Sequence, residues 1–201
     1  MQKNKLKLIL ASASPRRKEL LAWSFLPFEV IISHVEENTD SKDPTDIVVE
    51  LASLKAISVA EKLDPNNLVI GADTIVVSDG EILGKPSSRD DARNMLNSLS
   101  GKSHEVYTGV CFVLGERKHQ FFSKTIVNFD PIDSDLLEFY LQTGESLDKA
   151  GSYGIQGAAL GFISELSGSY SNVVGLPINQ LIRELCDFLS VDYKGLNEIF
   201  N

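Results

Sequence analysis

Apolar positions along this chain switch repeatedly between short continuous runs and helical spacing, so the pattern predicts alternating strands and helices. Leu6 to Leu10 reads as a short buried strand. Behind it Ser14 makes a good helix N-cap, with Pro15 at the first helical position and Leu20 and Leu21 as the apolar face. Phe28 to Ser33 predicts a second strand, followed by an acidic polar loop from His34 to Lys42. Asp43 and Pro44 repeat the cap-then-proline signature and open a long helix that runs to about Lys62. Leu68 to Val77 is a continuous apolar strand, and Asp79-Gly80 marks a tight hairpin into Glu81 to Gly84. Arg89 to Leu99 is amphipathic at helical spacing, Glu105 to Leu114 and Phe121 to Phe129 predict a further strand pair, and Ser134 to Gln142 a further helix. The glycine-rich Gly151 to Gly161 predicts a loop, Ile163 to Leu166 a short strand, Leu176 to Leu189 a closing helix, and the last dozen residues a frayed end. Hairpins interleaved with helices predict a mixed α/β fold whose sheet is mixed rather than purely parallel.

Composition narrows the function classes. With 201 residues and 43% hydrophobic content the chain can bury a full core, as one domain or two closely joined lobes. A formal charge of −9 argues against coating nucleic acid by general electrostatics, though a few local cations suffice for a small anion. The apolar run after the basic start, within Met1 to Leu10, is too short for a signal peptide, and no segment approaches the length of a membrane span. Cys111 and Cys186 fit no metal or redox spacing. The expectation is a soluble, cytoplasmic protein with no nucleic-acid or membrane partner.

Local charge then departs from what a fold alone would choose. Arg16 and Arg17 occupy the first turn of a predicted helix, where partial positive charge and unpaired N–H groups disfavour cations. An anion bound there, held by backbone amides, the Ser12 and Ser14 hydroxyls and the guanidinium groups, repairs the conflict. A basic surface turn is the other reading. Asp73 stands inside the apolar strand Val69 to Val77, which is costly for a carboxylate unless it is paired, protonated or bound to a metal. A two-residue turn at Asp79-Gly80 pairs Ser78 with Glu81 and, continued regularly, sets Thr74 opposite Lys85. Lys85 is either a cation brought to that site or an edge-strand lysine that blocks aggregation. Lys55 falls in the apolar stripe of the long helix with Val48, Leu51 and Val59, either snorkelling outward or acting as a counter-charge. Glu36 and Glu37 are loop acids that gain meaning if Asp73 needs a companion to hold Mg²⁺.

Taken together these residues resemble one family. Ser12-x-Ser14-Pro15-Arg16-Arg17, the Glu36-Glu37 pair, Lys55, Gly71-Ala72-Asp73-Thr74, Gly84-Lys85-Pro86, the run from Asp148 to Gly157 and the run from Gly168 to Pro177 resemble, in order, the Maf nucleoside triphosphate pyrophosphatases. The resemblance extends from Leu8 to about Leu189. It implies an α/β fold like that of the inosine triphosphate pyrophosphatases, with a long bent mixed sheet, flanking helices and a deep cleft between two lobes. On this basis residues 1–190 form a single two-lobed domain and 191–201 a C-terminal tail. It further implies cleavage of a nucleoside triphosphate between the α and β phosphates with a divalent metal, Mg²⁺ or Mn²⁺. The substrates implied are dTTP, UTP and modified pyrimidine nucleotides, in a house-cleaning role with a link to cell division. A homodimer is implied as well.

The resemblance also distributes roles. Asp73 matches the catalytic aspartate, either the proton acceptor for the attacking water or, if it binds the metal directly and is then a poorer base, the residue that orients a metal-bound water. Ser12, Ser14, Arg16, Arg17, Lys55 and Lys85 fall at phosphate-binding positions, and Glu37 with Asp73 at metal-binding ones. Arg16, Thr74 and Gln156 fall at specificity positions. A glutamine amide offers both donor and acceptor to the acceptor–donor–acceptor edge of uracil or thymine. The sister subgroup acting on 7-methyl-GTP carries a glutamate there, so Gln156 favours pyrimidines. The alternatives are a 7-methyl-GTP pyrophosphatase and a non-catalytic nucleotide-binding regulator of division. His104, His34 and His119 make no ligand spacing, and His104 reads as structural.

Overall fold

The computed structural model describes residues 5–200; Met1 to Asn4, on which part of the leader reading falls, and Asn201 lie outside the described residues. In chain order the strands are β1 (Lys7–Ala11), β2 (Glu29–Val30), β3 (Asn67–Ser78), β4 (Glu81–Leu83), β5 (Ser103–Leu114), β6 (Arg117–Phe129) and β7 (Ile163–Ser167). The helices are α1 (Pro15–Ala22), α2 (Pro44–Ala60), α3 (Arg89–Leu99), α4 (Ser134–Gln142), α5 (Tyr170–Val174), α6 (Ile178–Leu189) and α7 (Tyr193–Phe200). The strands form one seven-stranded sheet in the order β2-β1-β3-β5-β6-β7, with β4 paired to β3. β1 pairs in parallel with both β2 and β3, whereas β3–β4 and β6–β7 are antiparallel, so the sheet is mixed, as the apolar pattern predicts.

Two compact units divide the chain. The first takes the residues up to Asp73, Thr108–Ser123 and those from Gly175 on; the second takes Thr74–Tyr107 and Lys124–Val174. In the first, Ile9, Ala11, Ala52, Ala56, Val59, Val69, Cys111 and Val113 share one buried cluster. α2 lies unusually close to the strands there. A Cβ on Gly71 of β3 would sit 2.2 Å from the Ala52 carbonyl oxygen, and one on Gly109 of β5 would sit 2.2 Å from that of Val48. Only glycine leaves room for a helix backbone at that distance. In the second unit, α3, α4 and the flanking strands bury Leu96, Leu99, Phe129, Tyr140, Tyr153 and Phe162.

Several elements differ from the pattern-based expectation. The ladder of the second strand covers only Glu29–Val30, both exposed, because it is a sheet edge with a partner on one side alone. β6 starts at Arg117 rather than Phe121, since Arg117 to Gln120 are polar and carry no apolar signal. The stretch Gly151 to Gly161 is not plain loop but contains 3-10 turns at Ala150–Ser152 and Gly157–Phe162. α5 is an added helix, and the last long helix begins at Ile178 rather than Leu176. The final residues are not frayed: α7 buries Leu196 and Phe200, and the Leu6 amide donates to the Ile199 carbonyl at 3.1 Å. Ser78 does pair with Glu81, but the ladder ends at Val76–Leu83, so Thr74 and Lys85 are not ladder partners.

Candidate active site

The site in the first unit is assembled by strand direction. Because β1 and β3 are parallel with Ala11 opposite Gly71, the loop after β1 and residue Asp73 lie at the same level, the C-terminal end of β1 and the middle of the longer β3. Open α/β sheets present their ligand sites at that end. The loop then turns into α1. Buried Ser12 accepts from the Ser14 amide at 3.2 Å, and Ser14, the N-cap, accepts from the Arg17 amide at 3.4 Å. Both hydroxyls keep a proton to donate.

Arg17 is fixed from the far end of the chain: its Nε donates to the Gly175 carbonyl at 2.8 Å. Burial pushes the guanidinium down from its ordinary value, while Asp73 and Glu37 pull it up and Arg16 opposes them. The arginine is thus held among two acids and a second cation. The sequence reading missed the Gly175 carbonyl, because a backbone acceptor leaves no side-chain signature.

Asp73 is set by the close approach of α2. Side chains two apart on a strand share a face, so Asp73 projects to the α2 side on which Gly71 makes room. Lys55, between Ala52 and Ala56 on that helix, meets it there. Its ammonium lies 2.6 Å from Asp73 Oδ1 and 3.0 Å from Glu37 Oε1. The Lys55 and Asp73 side chains are 12% and 9% exposed, whereas Glu37 is 55% exposed. Lys55 therefore does not snorkel outward; it joins two carboxylates. Glu36 is exposed and accepts from the Asn38 amide at 3.3 Å, so only the second acid of the pair turns to the site.

Two carboxylates converging on one ammonium also offer oxygens to a divalent cation. Among the described residues no cluster of three or more His, Cys, Asp or Glu could hold a metal. Mg²⁺ commonly takes one or two carboxylates and completes its shell with water and substrate phosphates rather than with a protein cage.

The remaining expected residues belong to the second unit. Thr74 and Gln156 are half-buried and Lys85 is exposed just past β4. The Gly151 amide donates to the Gly84 carbonyl at 3.1 Å, tying the segment that leads to Gln156 to the one that carries Lys85. The first unit thus gathers Ser12, Ser14, Arg16, Arg17, Glu37, Lys55 and Asp73, and the second carries Thr74, Lys85 and Gln156.

Comparison with known proteins gives a consistent pattern. The profile of the family described as Maf-like protein matches residues 7–188. A dTTP/UTP pyrophosphatase of Bacillus cereus (strain B4264) is 50% identical over 183 residues, 90% of this chain and 95% of that protein. A dTTP/UTP pyrophosphatase of Bacillus anthracis is 49% identical over the same shares. Among solved structures, a HAM1 protein from Coxiella burnetii aligns with a TM-score of 0.50 at 16% identity, covering 90% of this chain and 99% of that one, a likeness of fold. Among the described residues no helix is long and apolar enough to cross a membrane.

Proposed function

Because this chain belongs to the Maf family, we propose that it is a nucleoside triphosphate pyrophosphatase that hydrolyses dTTP and UTP to the monophosphate and pyrophosphate. The observation that carries the reading is the convergence of Glu37, Lys55 and Asp73 beside the C-terminal end of β1, with Arg17 within electrostatic reach of both acids. Phosphoryl transfer asks mainly for positioning and charge neutralisation, and this cluster supplies both signs of charge in a half-buried place.

Asp73 accepts the proton of a water that attacks the α phosphorus; the bond to the α–β bridging oxygen breaks and pyrophosphate leaves. Arg16, Arg17 and Lys85 offset the charge that grows on the leaving group, and the hydroxyls and amides at the start of α1 bind phosphate oxygens. Lys55 holds the two acids close to each other and presents its ammonium where phosphate charge arrives. A divalent cation held by Glu37 and Asp73 would neutralise the triphosphate and polarise its phosphorus–oxygen bonds. Gln156 reads the pyrimidine edge, with Thr74 and Arg16 as the further specificity positions.

The test is pyrophosphate release from dTTP, UTP, CTP, GTP and 7-methyl-GTP, with Mg²⁺ or Mn²⁺ and with chelator. Metal-dependent release from dTTP and UTP is expected. Release from the methylated purine alone would retain the chemistry and overturn the base assignment. Silence with nucleotide still bound would favour a regulator. Asp73→Asn is expected to lower turnover by on the order of a thousandfold while nucleotide binding persists; unchanged turnover removes Asp73 from the mechanism.

A further inference from the structure

His104 and Tyr153 form a buried polar pair within the second unit that the phosphate chemistry does not use. His104 Nε2 and the Tyr153 hydroxyl share a hydrogen bond of 2.6 Å, and the residues are 2% and 5% exposed. Phe129 meets both rings edge-on, with centroids 4.8 Å away in each case. Burial pushes His104 down to about 4, which keeps the ring neutral at physiological pH. Among the described residues, the polar contact of the His104 ring is the Nε2 bond to Tyr153, and Nδ1 has no hydrogen-bond partner.

What the pair controls follows from the backbone around it. Gly151 and Ser152 both take left-handed conformations, with φ of 67° and 64°, the second a fully buried non-glycine residue. A non-glycine residue in that region is held there by its surroundings. Tyr153 and Gln156 then each take extended angles, φ −140° and ψ 159° and φ −95° and ψ 146°. The chain bends at Ile155 and Gln156, so the side to which each residue turns is read from burial. Burial alternates: Tyr153 and Ile155 are buried, Gly154 and Gln156 half-buried. After Gln156 the left-handed Gly157, φ 80°, turns the chain away. The phase of this alternation decides whether Gln156 faces outward, and a shift of one residue would turn it inward.

We propose that Tyr153 and His104 are positioning residues for base selection: their shared hydrogen bond fixes the depth of the tyrosine and hence the phase in which Gln156 is presented to the nucleotide. The inference rests on the assignment of Gln156 as the residue that reads the pyrimidine edge. Uracil and cytosine differ along that edge, acceptor–donor–acceptor against acceptor–acceptor–donor, so the ratio of kcat/KM for UTP to that for CTP reports the presentation of Gln156 directly.

The experiment measures that ratio in the parent protein and in Tyr153→Phe, His104→Leu, His104→Gln and Gln156→Ala, alongside thermal unfolding of each. Tyr153→Phe and His104→Leu are expected to reduce it by on the order of tenfold, mainly through a raised KM for UTP. His104→Gln, whose amide can still bond the phenol, is expected to retain it within about twofold. A residue that only supports the fold would lower the rates for both nucleotides together, and an unchanged ratio in Tyr153→Phe would overturn the proposal. If His104→Leu does not fold, Tyr153→Phe, which removes a single oxygen, carries the test alone. A parent-like ratio in Gln156→Ala would instead overturn the reading of Gln156, and the inference with it.

Discussion

Lys55 is the residue on which the site turns. Its ammonium is shared by Asp73 at 2.6 Å and Glu37 at 3.0 Å, and it is the means by which a nearly buried carboxylate is tolerated in an apolar strand. Removing one partner of such a pair leaves an uncompensated charge. Lys55→Met is therefore expected to cost about 3 kcal/mol of stability in chelator. Mg²⁺ or Mn²⁺ at millimolar concentration should restore more stability to this variant than it adds to the parent, because the ion takes up the charge the ammonium left. Denaturant unfolding of both proteins with and without metal checks this, and an equal metal effect in the two would remove Glu37 and Asp73 as the ion's ligands. Asp73 and Arg17 were legible in the sequence because a charge in an apolar run, or a cation at a helix start, conflicts with its local surroundings. His104 and Tyr153 gave no such signal, since a histidine and a tyrosine among aromatics look like ordinary core.

At the level of elements, α2 and β3 set the geometry. Gly71 lets the helix backbone approach until the absent Cβ would lie 2.2 Å from the Ala52 carbonyl oxygen, and Asp73, two residues on, then meets Lys55. Gly71→Ala must push the helix away, since the atoms in contact are backbone. We expect a loss of about 2 kcal/mol from overpacking, seen as a lowered melting temperature. Turnover should fall with it, as Lys55 is carried off Asp73; parent-like turnover would show that the pair tolerates a displaced helix. The long elements could be read from period and caps, α2 from Asp43-Pro44 and β3 from its continuous apolar run. The short or edge elements could not. β2 is two exposed residues, and α7, whose Leu196 and Phe200 are buried, is tied by the Ile199 carbonyl to the Leu6 amide at the other end of the chain, which no local pattern announces.

For the whole molecule, the buried histidine links stability to pH. Folding lowers His104 from its ordinary 6.5 to about 4 through desolvation, so below pH 6.5 the unfolded chain binds a proton that the folded chain refuses. Stability is complete above that value and declines as pH falls toward 4. Between pH 7 and pH 5 the loss from this one group is about 2 kcal/mol. Unfolding of the parent and of His104→Gln at the two pH values should differ by that amount, and parallel losses would show that other groups carry the acid sensitivity. The mixed character of the sheet follows from the interleaved helices and hairpins that the sequence displays. The division into two units does not, because both draw residues from β3, β5 and β6.

The hydrogen bond from Arg17 to the Gly175 carbonyl joins residues 158 positions apart. During synthesis, Glu37, Lys55 and Asp73 leave the ribosome long before Gly175 does. The carbonyl that accepts from the Arg17 Nε is therefore the last of these groups to be made. A product terminated short of Gly175 would carry the proposed base without the carbonyl that accepts from the Arg17 Nε.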